Sequence, residues 1–211
     1  MDSAGFGLAA SVLLGTLLGM RHALEPDHLA AISTLLTGER NRARAAWLGA
    51  WWGMGHTLTL SITGALLIVL QAEMPERVAS LFELGVMLLL IGFGLRAIYF
   101  GTRGAPPASP HTHRRMVARP LLVGAVHGLA GSGAVAALVV TTLPSTAARI
   151  GYLLVFSVGS TLGMAAFSGL LSWPLARCGS HPRLMRSMTV AVGCVSTALG
   201  LLWAYPLLAA I

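Results

Sequence analysis

The chain has 211 residues, of which 55% are hydrophobic and only 10% charged, with a mean hydropathy of +0.77. A soluble domain carries about 25% charged residues, so there are too few here to cover a water-facing surface. These proportions exclude a soluble enzyme, a disordered chain and a secreted disulfide scaffold, and they make lipid the natural solvent for much of the surface. All 14 cationic residues are Arg, against 7 acids, for a net charge of +7. The resulting pI near 11.0 would suggest nucleic acid in a soluble protein. Here Arg clusters between apolar runs, which is a membrane-topology pattern, and no nucleic-acid partner is expected. Cys178 and Cys194 form no CxxC pair, which argues against a disulfide framework or a thiolate metal site.

A membrane-crossing helix needs about 20 mostly apolar residues, and six runs reach that length. The first, Gly5 to Leu36, is too long for one straight crossing. The residues ahead of it, Met1 to Gly5, lack a basic stretch, so the run is expected to be retained. It contains His22-Ala23-Leu24-Glu25-Pro26-Asp27-His28, and Pro26 lacks a backbone donor and clashes with the preceding turn, which predicts a broken helix. The second run, Arg44 to Gln71, holds His56 near its middle, and the third spans Val78 to Phe100. Segment 101–119 is a Pro-rich polar linker with His111 and His113. The fourth run, Pro120 to Leu143, places His127 one turn before Gly131-Ser132-Gly133, read as a second break. Arg149 to Ala176 and Leu184 to Ile211 complete the six.

The loops after runs one, three and five hold ten Arg, and the two intervening loops hold only Arg77 and Arg149. The Arg-rich loops are therefore expected in the cytoplasm, with both termini outside the cell membrane. The halves also look related. Gly19-x-x-His22-x-Leu24 matches Gly124-x-x-His127-x-Leu129, and Gly55-His56-Thr57-Leu58 matches Gly159-Ser160-Thr161-Leu162. With three runs per half the repeat is inverted, as in many secondary transporters. The expected fold is an all-α membrane protein of six transmembrane helices, with broken helices at the midplane. Residues 1–100 and 120–211 form two inverted three-helix repeats, joined by a cytoplasmic linker at 101–119.

Ionisable groups at membrane depth are costly unless paired or solvated, yet His22, Glu25, Asp27, His28, His56 and His127 all lie inside runs. Imidazole plus carboxylate, without thiolate, suits Ni, Co, Zn or ferrous iron better than cuprous copper or magnesium. On an unbroken helix His22 and Asp27 would point about 140° apart, so chelation also requires the break. Arg21 is close enough in sequence to pair with Glu25, which would leave Asp27 as the ligand. For His127 alone, a packed histidine bonded to a carbonyl accounts for the residue as well as a ligand does. His56, among Gly53, Gly55 and Thr57, also reads as a helix-packing polar residue. Three ionisable groups and a proline within seven residues make a poor packing motif. His181 reads as loop. Trp47, Trp51, Trp52, Trp173 and Trp203 read as interfacial or packing aromatics.

The string Arg21 to Ala31 resembles the His-x4-Asp-His signature of the nickel/cobalt transporter family, in its short, urease-accessory-type branch. Gly55-His56-Thr57 is similar to that family's second motif, and His127 to Gly133 to the short branch's later signature. The resemblance implies metal recognition by His22, Asp27, His28 and His56. It departs from the longer importers at Glu25-Pro26 and in lacking their acidic second-half signature.

The expected function is therefore transport of a divalent metal, Ni(II) or Co(II), with His22, Asp27, His28, His56 and His127 at the metal. Glu25, Ser132, Ser160 and Thr161 are expected along the pathway or behind the ligands. No prosthetic group, Walker motif or nucleophile with a matched base is found, so the chain is not expected to be an enzyme. A cytosolic metallochaperone is a candidate partner. Two alternatives stand beside this reading: an exporter or carrier of Zn(II) or Fe(II), and a membrane factor delivering metal to urease or hydrogenase maturation.

Overall fold

Every apolar run folds as a helix, and the first folds as two. The computed structural model describes residues 3–36, 39, 41–103, 113–178 and 182–209. Within them, the side chains of 3–10, 113–116, 132–134, 136–142, 174–176, 178, 182 and 206–209 fall outside the description. The helices are α1 (Ser3–His22), α2 (Pro26–Leu35), α3 (Arg42–Leu70), α4 (Glu76–Arg103), α5 (His113–Thr142), α6 (Thr146–Cys178) and α7 (Pro182–Ala209). No strand occurs among the described residues.

The break between α1 and α2 falls where the sequence places it, and its cause is local. Leu24 N–H donates to Arg21 O (2.9 Å) and Glu25 N–H to His22 O (3.0 Å), tightening the last turn of α1 into three-residue spacing. Glu25 then turns extended (φ −60°, ψ 146°), and Pro26 opens α2 at the position where a missing N–H costs nothing. Asp27 thereby falls in a first helical turn, where the dipole favours a carboxylate. The second expected break is absent: α5 is helical through Gly131-Ser132-Gly133. Glycine weakens a helix by only about 1 kcal/mol, whereas proline removes a bond and adds a clash. The expected linker is also shorter than 101–119, because α4 extends to Arg103 and α5 starts at His113.

The outer faces are apolar, unlike those of a water-soluble bundle, and several polar side chains are buried. Leu58, Ile62, Leu66 and Val69 on α3, and Leu81, Leu88 and Leu95 on α4, recur at helical spacing along exposed faces. The buried polar set includes His28, His56, His127, Ser157, Ser160, Ser168, Ser172 and Ser196. Arg42–Leu70, Glu76–Arg103, Thr146–Trp173 and Arg183–Tyr205 are long and apolar enough to cross a membrane, and α5 contributes a shorter apolar stretch, Val117–Gly131.

Close approaches fix the helix directions. Gly124 and Gly128 of α5 lie on the backbone of Trp52 and His56 in α3, so closely that a Cβ at either would collide with a carbonyl oxygen. Since Gly124 meets Trp52 and Gly128 meets His56, α5 runs parallel to α3. By the same logic Gly19 on Phe156, with Gly163 on Met20, makes α1 parallel to α6. Thr57 Oγ1 to Thr161 Oγ1 (2.6 Å) and Gly49 beside Ser168 make α6 antiparallel to α3. Ser196 Oγ donating to Leu90 O (2.9 Å), with Gly101 beside Val190, makes α7 antiparallel to α4. Gly85 beside Val126, with the Arg119 guanidinium 5.7 Å from the Phe93 ring, makes α5 antiparallel to α4. Arg42, Arg44, Arg103, Arg119, Arg177, Arg183 and Arg186 therefore gather at one end of the bundle. Arg77 and Arg149 lie at the other.

Candidate metal centre

Four imidazoles from four helices meet beside the α1–α2 break. His22 ends α1, His28 lies on the first turn of α2, and His56 and His127 lie near the middles of α3 and α5. Ring centroids are 4.5 Å apart for His22 and His28, 5.1 Å for His28 and His56, and 4.4 Å for His28 and His127. The two glycines on α5 bring its backbone against α3, which places His127 within 6.3 Å of His56, centroid to centroid. Apolar rings enclose the group, with Trp52 5.5 Å from His28 and Phe156 5.3 Å from His22.

The carboxylates act on the imidazoles. Asp27 Oδ1 lies 3.0 Å from His28 Nδ1 and Asp27 Oδ2 lies 2.8 Å from His127 Nε2, so this one carboxylate orients two rings. An ionised carboxylate only accepts, so His28 donates through Nδ1 and keeps its lone pair on Nε2. That Nε2 is buried and has no hydrogen-bond partner, as is His56 Nδ1. Glu25 Oε1 accepts from His22 Nδ1 at 2.9 Å, which likewise leaves the lone pair on Nε2. Glu25 thus pairs with His22 and not, as expected, with Arg21, which is exposed. Carboxylate-backed imidazoles of this kind are what metal sites use to fix the ligand tautomer and ring orientation.

The distances suit an ion. His22, His28 and His56 each offer a ligand atom within 4.8 Å of the others, and Asp27, His28 and His127 form a second such group sharing His28. His22 Nε2 and His56 Nε2 are 3.3 Å apart. Imidazole–metal bonds of about 2.0–2.1 Å in a tetrahedron set neighbouring nitrogens about 3.3 Å apart.

A cavity of about 490 Å³ reaches this cluster, lined by His22, Glu25, Asp27, His28, His56 and His127 together with Glu83 and Met87 of α4, Ala130 and Gly131 of α5, and Trp203 of α7. Its walls lie toward the Arg-poor end: Glu83 is near the start of α4, Gly131 beyond the middle of α5 and Trp203 near the end of α7. Toward the Arg-rich end the bundle is filled by Ile32, Leu36, Leu48, Trp52, Leu90, Val123 and Met164.

Six of the expected site residues thus share one cavity. Ser160 and Thr161 do not line it. Thr161 bonds Thr57 across the α3–α6 seam, while Ser160, whose backbone lies against Gly19 of α1, has a buried hydroxyl with no partner. The Ser132 side chain, and His111, His113 and His181, lie outside the described residues or side chains. Glu83 was missed by sequence reasoning, although an acid inside an apolar run was the signal that could have found it.

A family model described as a high-affinity nickel-transport protein, NicO, matches residues 8–109. The urease accessory protein UreH of a Bacillus species is 30% identical over 215 residues, covering 95% of this chain and 92% of that protein. The high-affinity nickel transport protein of Cupriavidus necator is 34% identical over 80 residues, 35% of this chain and 23% of that one. The cobalt transport protein NhlF of Rhodococcus rhodochrous is 42% identical over 73 residues, 34% of this chain and 20% of its own. No solved structure matches.

Proposed function

The chain belongs to the NicO nickel-transport family, and from that premise we propose that it takes up Ni(II) or Co(II) through the His/Asp cluster. The observation that carries this reading is the convergence of His22, His28 and His56, with His28 Nε2 buried and unpartnered and His22 Nε2 3.3 Å from His56 Nε2. These three imidazoles hold the ion. Asp27 and His127 flank it as the adjoining group, with Asp27 setting the tautomers of His28 and His127. Binding releases protons, because the ligands must be deprotonated. The metal passes as substrate, and no resident cofactor is required.

Six crossings in two inverted halves are part of the same proposal. Its support is the way contacts recur. Gly124 rests on Trp52 and His56, and Gly19 rests on Phe156 and Ser160. Gly55 meets Leu121, and Gly159 meets Thr16. Each pair exchanges the members of one half for their motif partners in the other. The positive-inside pattern puts the Arg-rich end in the cytoplasm of a cell membrane, and both termini outside. On that orientation the cavity opens outward.

Uptake of nickel into proteoliposomes tests the reading. His28→Ala is expected to reduce flux to background and Asp27→Asn to weaken it about 10–100-fold, the usual loss when a partner behind a metal ligand is removed. Unchanged flux in His28→Ala would sink the proposal. A second reading, a membrane factor that hands nickel to urease maturation, is favoured by the coverage of the urease accessory relative. It differs by requiring a soluble partner, so it gives no flux in vesicles containing this chain alone. Competition by Zn(II) and Fe(II) in the same assay separates carriers of other metals.

A further inference from the structure

Glu83 is a carboxylate inside an apolar helix that the metal cluster itself does not use. It stands seven residues after Glu76, the first residue of α4, or about 10 Å along the axis. A charge at such a position is expensive unless water or an ion reaches it. Its side chain is exposed and lines the same cavity as the four imidazoles. Among the described residues no hydrogen bond or ion pair engages it. Glu25 lines the cavity too, 52% exposed, and only its Oε1 is taken by His22.

The charge distribution favours cations at this end. Glu73, Glu76 and Glu83 lie on or just before the first turns of α4, whereas most Arg residues sit at the opposite end of the bundle. Low-dielectric walls lined by one sign of charge concentrate ions of the other sign. Acids alone would not define a site. Here the cavity they border is also lined by His28, whose buried Nε2 has no partner, so it leads to a free lone pair able to take a cation.

We propose that Glu83, with Glu25, forms an outer capture site for hydrated divalent cations, one step before the imidazole cluster. This rests on reading that cluster as the transport site. The chemistry divides the labour. Carboxylate oxygens accept magnesium, manganese and nickel alike and leave much of the hydration in place, whereas imidazole nitrogens select the later transition metals. Capture is therefore unselective, and discrimination follows at His22, His28 and His56. Magnesium in excess competes for the outer site only.

Nickel uptake by proteoliposomes, measured against nickel concentration with and without excess magnesium, tests this. Glu83→Gln is expected to lower uptake about five- to tenfold at subsaturating nickel, through a raised KM with little change in turnover, and to blunt inhibition by magnesium. Glu83→Asp is expected to recover most of both. The same KM and magnesium sensitivity in Glu83→Gln as in the unaltered protein would overturn the capture site. His28→Ala, run alongside, separates the two claims. If it abolishes flux while Glu83→Gln behaves as the parent, only the capture site fails; if it also leaves flux intact, the transport reading fails. Without any variant, electron paramagnetic resonance of Mn(II) added to nickel-saturated protein is expected to reveal a weak manganese site. Its absence would equally overturn the proposal.

Discussion

Two helix contacts in this molecule are built alike and carry different chemistry. In one, Gly124 of α5 rests on the backbone of Trp52 and His56 in α3; in the other, Gly19 of α1 rests on Phe156 and Ser160 in α6. His127 and His22 each lie one turn beyond their glycine. Yet one supporting helix presents an imidazole at that contact, and the other a hydroxyl without a partner. After His22 the chain breaks and supplies Asp27 and His28, whereas after His127 it continues as helix. Backbone approach and site chemistry are thus specified separately. Glycines set how near the helices come, and one proline-marked break together with His56 gathers the imidazoles.

The comparison is broken most severely by exchanging its two unlike members for alanine. His56→Ala removes one of three converging imidazoles and is expected to lower nickel uptake at least about 100-fold, beyond the loss typical of a supporting partner. Ser160→Ala deletes a buried hydroxyl that has no hydrogen bond. It is expected to keep uptake within about twofold and the thermal midpoint at or above that of the parent. Equal losses in the two variants would mean that the contacts are chemically equivalent.

A smaller effect sharpens the structural half. At Gly124 a methyl group meets the Trp52 carbonyl, whereas at Gly131 nothing lies within 4 Å. Gly124→Ala is expected to destabilise by about 1–3 kcal/mol, the usual range for overpacking. Gly131→Ala is expected to leave the midpoint unchanged or raise it slightly, as alanine favours helix. Thermal unfolding of the purified proteins in detergent, followed by size-exclusion chromatography, reads both. A midpoint in Gly124→Ala equal to that of Gly131→Ala would contradict the glycine contact.

Much of this was legible in the sequence because the physics is local. Six apolar runs of sufficient length become helices, and a proline with a preceding extended residue breaks the first between His22 and Pro26. The clustering of His22, Asp27, His28, His56 and His127 was legible because ionisable groups at membrane depth must meet something. What was not legible depends on packing. Glycines at 131 and 133 read as a break, but glycine only weakens a helix by about 1 kcal/mol, and α5 stays helical through them. Sequence distance allows Glu25 to pair with Arg21, while the tightened turn at the end of α1 brings it to His22. Ser160 and Thr161 are expected along the pathway, and the contacts they make depend on packing: Thr161 bonds Thr57 of α3, and Ser160 lies against Gly19 of α1. Glu83 stands out in the sequence as an acid inside an apolar run, but that α4 lies beside the cluster depends on packing.

The central claim is that His22, His28 and His56 hold the transported ion. X-ray absorption at the nickel edge of purified, nickel-loaded protein tests it most directly, because imidazole rings leave a distinctive multiple-scattering pattern. The account predicts a nitrogen-rich shell carrying that pattern in the unaltered protein, weakened in His56→Ala. A shell of oxygen alone, or a pattern that persists unchanged in His56→Ala and His28→Ala, would contradict it.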